Sequence, residues 1–233
     1  MRHALTDPLF AGFTGHGVTV AVLDSGIHAD HPHVGRVLGG ASFIADPDGA
    51  DFQDRIGHGT AVAAAIREKS PGVELLAIKV FHRQLSTSVD ILAGAIVWAA
   101  DEGAHLINLS LGTANAAHAE LLTVAIAYAW ERRSVVVSAC ESAGVVWLPG
   151  SLPRVIGVVA DETLDRNVVD VEVDGDRIRY RASPYPRPIP GVPRERNLSG
   201  VSFAVANVTG FLARAVERAG GSMERAGLYN VVP

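Results

Sequence analysis

Residues 18–26 read VTVAVLDSG. Five small or β-branched residues and a leucine, without regular polar alternation, predict a strand over Val18–Leu23 that is buried on both faces. Asp24-Ser25-Gly26 then forms a turn at its carboxyl end. Outward from this strand the pattern repeats. Helices are predicted over Gly59–Glu68, Val89–Glu102 and Ala119–Arg132, and strands over Leu75–Val80, Leu106–Leu109, Ser134–Ala139 and Val155–Ala160. Near-continuous apolar strands alternating with helices predict an α/β fold, a mostly parallel central sheet with helices on both faces. In such sheets, sites gather at the carboxyl ends of the strands.

The chain has 233 residues, 48% of them apolar and 19% charged, enough for a sizeable core and too apolar for wholesale disorder. No repeat or domain boundary stands out, so residues 1–233 are expected to form a single domain. The longest apolar runs, Ile91–Ala100 and Leu121–Trp130, have ten residues each, half of what a membrane span needs. The start, MRHALTDPLFAG, lacks the pattern of a secretion signal. One cysteine, Cys140, permits no intrachain disulfide and suits a reducing compartment, so a cytoplasmic protein is expected. Cys140 itself reads as a buried small residue. A net charge of −5 argues against non-specific nucleic-acid binding. Oligomeric state is not legible.

Asn167–Ala182 differs in kind. Asp174-Gly175 signals a tight turn, and pairing the arms around it sets Glu172 opposite Arg177 and Asp170 opposite Arg179. Val171 then meets Ile178, and Val169 meets Tyr180, an antiparallel hairpin with one charged and one apolar face. Arg177, Arg179 and Arg181 are better read as salt-bridged strand residues than as an anion-binding stripe. Ser183–Leu198, with five prolines and three arginines, is expected to be an irregular loop.

Three short segments carry the residue types of nucleophilic hydrolysis. Asp24, at the end of a buried strand, could orient a histidine, although an Asp before Ser-Gly is also an ordinary turn residue. His58, between Gly57 and Gly59 at a helix start, could act as general base. Ser202, in NLSGVSFA before a helical stretch, lies where free backbone amides stabilise negative charge, or serves as a helix N-cap. Each is weak alone. The chain order Asp, His, Ser, with separations of 34 and 144 residues, is that of the subtilisin triad.

The sequence resembles the subtilisin-like serine proteases well beyond those three residues. GFTGHGVTVAVLDSGIHADHP resembles the beginning of the family's catalytic domain, and GHGTAVAAAI its histidine helix, with Ala61 where a second histidine is usual. INLSLG (107–112), LPGSLPRVIGVVA (148–160) and GVSFAVANVTG (200–210) follow in family order, so the likeness runs from Leu9 to Arg214. It implies an Asp24–His58–Ser202 triad, no cofactor, no metal, and a peptide or protein substrate paired along Ser110, Leu111 and Gly112. No nucleic-acid or membrane partner is implied.

Departures from the family pattern sharpen the expectation. The family's oxyanion hole takes an asparagine just after the strand corresponding to Val135–Ala139. Here no Asn or Gln occurs from Ala116 to Arg166, and Ser142, preceded by Glu141, stands in its place. Ser142 and the Ser202 amide are therefore the expected donors, and Val201 replaces a usual threonine. In a subtilisin, losing one such donor costs about 10²–10³ in turnover, which weakens a protease without abolishing it. Trp147 either fills the primary specificity pocket or is a core tryptophan. Acidic residues at 46, 48, 51 and 54 fit no standard calcium loop, and His28, His31 and His33 are not expected to form a zinc site. A missing signal and prodomain, with a weakened hole, point to a cytoplasmic endopeptidase with one dedicated substrate, such as a leader or precursor peptide. The alternative is a catalytically impaired peptide-binding or scaffold protein on the same fold.

Overall fold

The computed structural model describes residues 2–44, 51–174 and 177–222. In chain order the strands are β1 (Arg2–Thr6), β2 (Thr19–Asp24), β3 (Val37–Ser42), β4 (Glu74–Lys79), β5 (Leu106–Leu109), β6 (Val135–Ser142), β7 (Val145–Val146), β8 (Val155–Ala160), β9 (Val168–Asp174) and β10 (Arg177–Ala182). The helices are α1 (His58–Lys69), α2 (Val89–Asp101), α3 (Ala119–Glu131) and α4 (Val201–Arg218). One sheet holds the strands in the order β1-β9-β10-β8-β6-β5-β2-β4-β3, with β7 paired to β6. From β10 to β3 all neighbours are parallel; β1, β9 and β7 pair antiparallel.

The pleat explains why the parallel strands are apolar throughout. Val20 and Val22 of β2 pack with α1 and α4 on one face, while Ala21 and Leu23 pack with α2 and α3 on the other. All four are completely buried. Strand order reverses beside β2, whose neighbours are β4 and β5, so a crevice is expected at its carboxyl end, where Asp24 lies.

The hairpin of β9 and β10 forms, but in a register two residues from the expected one. Arg179 faces Glu172, Arg181 faces Asp170, Tyr180 faces Val171 and Ile178 faces Val173. Its turn at 175–176 lies outside the described residues. A two-residue slip keeps every side chain on its face, so charged and apolar sides survive the correction. Arg181 pairs with Asp161 at 2.9 Å and Glu172 at 3.7 Å, and Arg179 with Glu141 at 3.6 Å.

Arg214 of α4, nearly buried, clasps the beginning of the chain. It donates to Asp7 Oδ1 at 2.6 Å and to the carbonyls of Phe10 at 2.9 Å and Phe13 at 3.0 Å.

Candidate active site

Asp24 ends β2 and is fully buried. Its Oδ1 accepts from His58 Nδ1 at 2.7 Å and from the Ser25 amide at 2.8 Å, while Oδ2 is buried without a hydrogen-bond partner among the described residues. His58 is the first residue of α1. The helix start is held by Asp54, whose Oδ1 takes the amides of Ile56 and Gly57 and whose Oδ2 takes the amide and hydroxyl of Thr60. A carboxylate there satisfies orphan amides and complements the helix dipole. The Ser25 hydroxyl links the two carboxylates, 2.9 Å from Asp54 Oδ1 and 3.2 Å from Asp24 Oδ1, and accepts from the Gly59 amide at 2.9 Å.

Gly59 is required for this approach. A Cβ there would lie 2.1 Å from the Gly26 carbonyl oxygen and 3.1 Å from Asp24 Cβ. Burial pushes the His58 pKa down. The Asp24 hydrogen bond, its charge and that of Asp54 outweigh burial, and the pKa rises above the ordinary 6.5.

Ser202 lies in the first turn of α4, one residue after its start, with Gly200 as N-cap. The N-cap role for Ser202 is thereby excluded. Its Oγ donates to the Ser110 carbonyl at 3.0 Å, and no hydrogen bond joins it to His58 among the described residues. A chain of polar contacts backs this pair: Thr209 Oγ1 donates to Asn108 Oδ1 at 3.0 Å, and Asn108 Nδ2 to Ser110 Oγ at 2.9 Å. Asn108 and Thr209 are completely buried. The Phe203 ring, next to the serine, lies 5.7 Å from the His58 ring, so the starts of α1 and α4 meet. Three residues distant in sequence thus converge at the carboxyl edge of β2 and β5.

The subtilase family model matches residues 15–229. The chain belongs to the subtilase family. Thermitase of Thermoactinomyces vulgaris is 34% identical over 227 residues, covering 85% of this chain and 76% of its own length. Subtilisin Savinase of Lederbergia lenta is 33% identical, over 87% of this chain and 77% of its own. M-protease of Shouchella clausii shares 33%, but the match spans only 54% of that protein. Among solved structures, Sphericase superposes with a TM-score of 0.73 at 24% identity, covering 93% of this chain and 82% of its own. A lanthipeptide protease superposes with 0.73 at 22%, covering 94% and 79%. By family the chain is a subtilisin-like serine protease, with peptide or protein as its substrate class.

In this subtilase, the segment expected to carry a degenerate loop is a hairpin. β6 runs on to Ser142, which pairs with Val145 across a turn whose central residues, Ala143 and Gly144, have φ of 51° and 75°. Such a turn needs positive φ at both positions, which glycine supplies and alanine tolerates at a cost. Ser142 and the Ser199–Val201 stretch preceding the nucleophile line one cavity of about 270 Å³, with Glu141 and Glu162. Glu141 is held by Arg179.

Trp147 stands beside Gly112. An added Cβ at Gly112 would lie 3.4 Å from Trp147 Cβ and 2.6 Å from the Leu148 carbonyl oxygen. Thr113 and Leu148 exchange both backbone hydrogen bonds at 2.9 Å, tying the Ser110–Gly112 segment to the tryptophan. Trp147 is half-buried, belongs to neither core cluster, and its Nε1 is buried without an acceptor among the described residues.

Asp54, Ser25, Asn108 and Thr209 were not among the expected site residues. Asp54 sat in the acidic run rejected as a calcium loop, of which residues 46 and 48 lie outside the described residues; Asp51 pairs with Arg55 at 3.1 Å. A lone asparagine inside the apolar strand LINL was the legible signal for Asn108, because a buried amide needs partners. His28, His31 and His33 come together at another cavity, but no group of metal-ligating side chains forms among the described residues. No helix among them is long and apolar enough to cross a membrane.

Proposed function

We propose that this subtilase is a serine endopeptidase working through Asp24, His58 and Ser202. The observation that carries the reading is the 2.7 Å bond from His58 Nδ1 to a fully buried Asp24. That bond assigns the proton to Nδ1 and leaves Nε2 free to take the Ser202 proton as Oγ attacks the scissile carbonyl. His58 then returns the proton to the leaving amine, and water repeats the cycle on the acyl-enzyme. Ser110–Gly112 pairs with the acyl half of the substrate. Ser142 and the Ser202 amide face the developing oxyanion.

The substrate proposed is a dedicated intracellular peptide, such as a leader or precursor segment, and the whole of residues 1–233 acts as one catalytic domain. A serine in place of an amide donor and a tryptophan beside Gly112 suit a partner delivered at high local concentration better than random protein. A second reading, a peptide-binding protein of impaired catalysis, draws on the Ser202–Ser110 bond, which holds the nucleophile's proton away from His58.

A fluorophosphonate probe separates the two. Labelling that disappears in Ser202→Ala supports the triad; a folded protein that resists labelling overturns it. Rapid cleavage of unfolded casein would count against a dedicated substrate.

A further inference from the structure

The loop at 183–198 and the three clustered histidines have no role in the chemistry above, yet they form the two walls of one cavity of about 570 Å³. His28, His31 and His33 line one wall, Arg187 and Asn197 the other, and the first turns of α1 the floor. Ala61 and Ala64 leave that floor open.

The arginine wall is fixed in place. Asn197 Nδ2 donates to the Arg187 carbonyl at 3.0 Å, and the buried Asn207 donates to the carbonyls of Ser183 at 3.0 Å and Tyr185 at 3.2 Å. Arg194 stacks 4.7 Å over the Tyr185 ring. The Arg187 guanidinium itself makes no hydrogen bond or ion pair among the described residues. Glu68, whose charge it feels, is already held by both terminal nitrogens of Arg166. Among the described residues Asp54 is the one carboxylate lining the cavity, and its two oxygens accept from Ser25, Ile56, Gly57 and Thr60. Arg187 and the three histidines thus line the cavity together with Asp54, whose carboxylate is committed to the start of α1.

Its position relates it to the scissile bond. Across the carboxyl edge of the sheet, Trp147, following β7 on the β6 hairpin, and Ser110, following β5, come first, then Asp24 at the end of β2 and the His28 segment after it. A peptide whose acyl half pairs with Ser110–Gly112 sends its leaving half past His58, the group that protonates the departing nitrogen, toward this cavity.

We infer that the cavity is a specificity site for a side-chain carboxylate, Asp or Glu, on the leaving-group side of the cleaved bond. This deepens the protease reading and rests on it for the word cleaved. Arg187 supplies a permanent charge and a planar fork of donors, and the imidazoles supply further donors.

The test uses C-terminally amidated peptides in which Glu or Gln is scanned along one scaffold, so that only a side chain provides the carboxylate. Cleavage sites are read by mass spectrometry. Glu within the first three residues after the cleaved bond should raise kcat/KM about tenfold over Gln, the effect of one charge-assisted contact. In Arg187→Gln, and in part in His33→Gln, that ratio should fall toward one. A ratio near one in the wild type overturns the inference while leaving the protease reading intact. If no peptide is cut, fluorophosphonate labelling decides the protease reading, and binding decides the cavity alone: fluorescently labelled Glu and Gln peptides are titrated against the Ser202→Ala protein by anisotropy. Equal affinities for the pair overturn the site; a Glu preference lost with Arg187→Gln supports it.

Discussion

The hydroxyl of Ser202 rests on the carbonyl of Ser110, at 3.0 Å. That carbonyl belongs to the segment on which, in the proposed mechanism, a substrate backbone would pair, so peptide and nucleophile would meet at one oxygen. For the proposed attack the hydroxyl must turn from Ser110 toward His58, a change of one side-chain rotamer.

Restoring the amide at 142 should raise turnover. Ser142→Asn is expected to increase kcat at least tenfold with little change in KM, because the added donor acts on charge that exists only in the transition state. Steady-state kinetics on a cleaved peptide checks this. An unchanged kcat would show that residue 142 does not face the oxyanion.

The acid limb of activity should lie above pH 6.5. His58 must be neutral to accept the serine proton, and its pKa is raised, so kcat/KM falls as pH drops through that raised value. Asp54→Asn removes one raising charge and should move the midpoint down. The stability sign follows the same shift: protonated His58 adds stability present below pH 6.5 and lost as pH rises through its folded-state pKa. Melting temperatures of His58→Gln against pH should lack that decline.

Gly59→Ala should be damaging for its size. The added carbon meets backbone, the Gly26 carbonyl at 2.1 Å, and cannot be relieved by a side-chain rotation. A loss of about 1–3 kcal/mol is expected from overpacking. Displacing His58 from Asp24 should reduce activity about 100-fold in the fraction that folds. Thermal melts and kinetics measure the two separately.

Trp147→Ala should widen the choice of residue before the cleaved bond. With Trp147 beside Gly112, small side chains should be preferred; without its indole, Phe and Leu should gain. Profiling cleavage of a mixed peptide library tests this, and an identical profile would place Trp147 outside the specificity pocket.

Much of the fold was readable because the buried strands are continuous in sequence. β5 and β8 fall on the expected residues, and α2 and α3 end one residue early. β3 was not readable, since Gly39-Gly40 looks like a loop; Gly40 is in fact pressed against the Ala77 carbonyl, where a Cβ would sit 2.0 Å away. β1 depends on pairing with β9, more than 160 residues distant, which no local pattern records. The hairpin at Ala143-Gly144 needs a positive φ on alanine, a conformation that pairing of β6 with β7 imposes against local preference. At the site, Asp24 and His58 were legible through their glycines. Asp54 was not, because it acts through the backbone amides it caps. The Ser202–Ser110 bond was not, because a hydroxyl's direction is settled only by its neighbours.

The grip of Arg214 on residues 7–13 has a consequence for the timing of synthesis. Those contacts span more than 200 positions, and the helix that makes them also carries Ser202. Until residue 214 has been made, the stretch at 7–13 lacks this clasp, although β1 can already pair with β9. A nascent chain therefore carries Asp24 and His58 long before it carries Ser202 and the Arg214 clasp on the same helix.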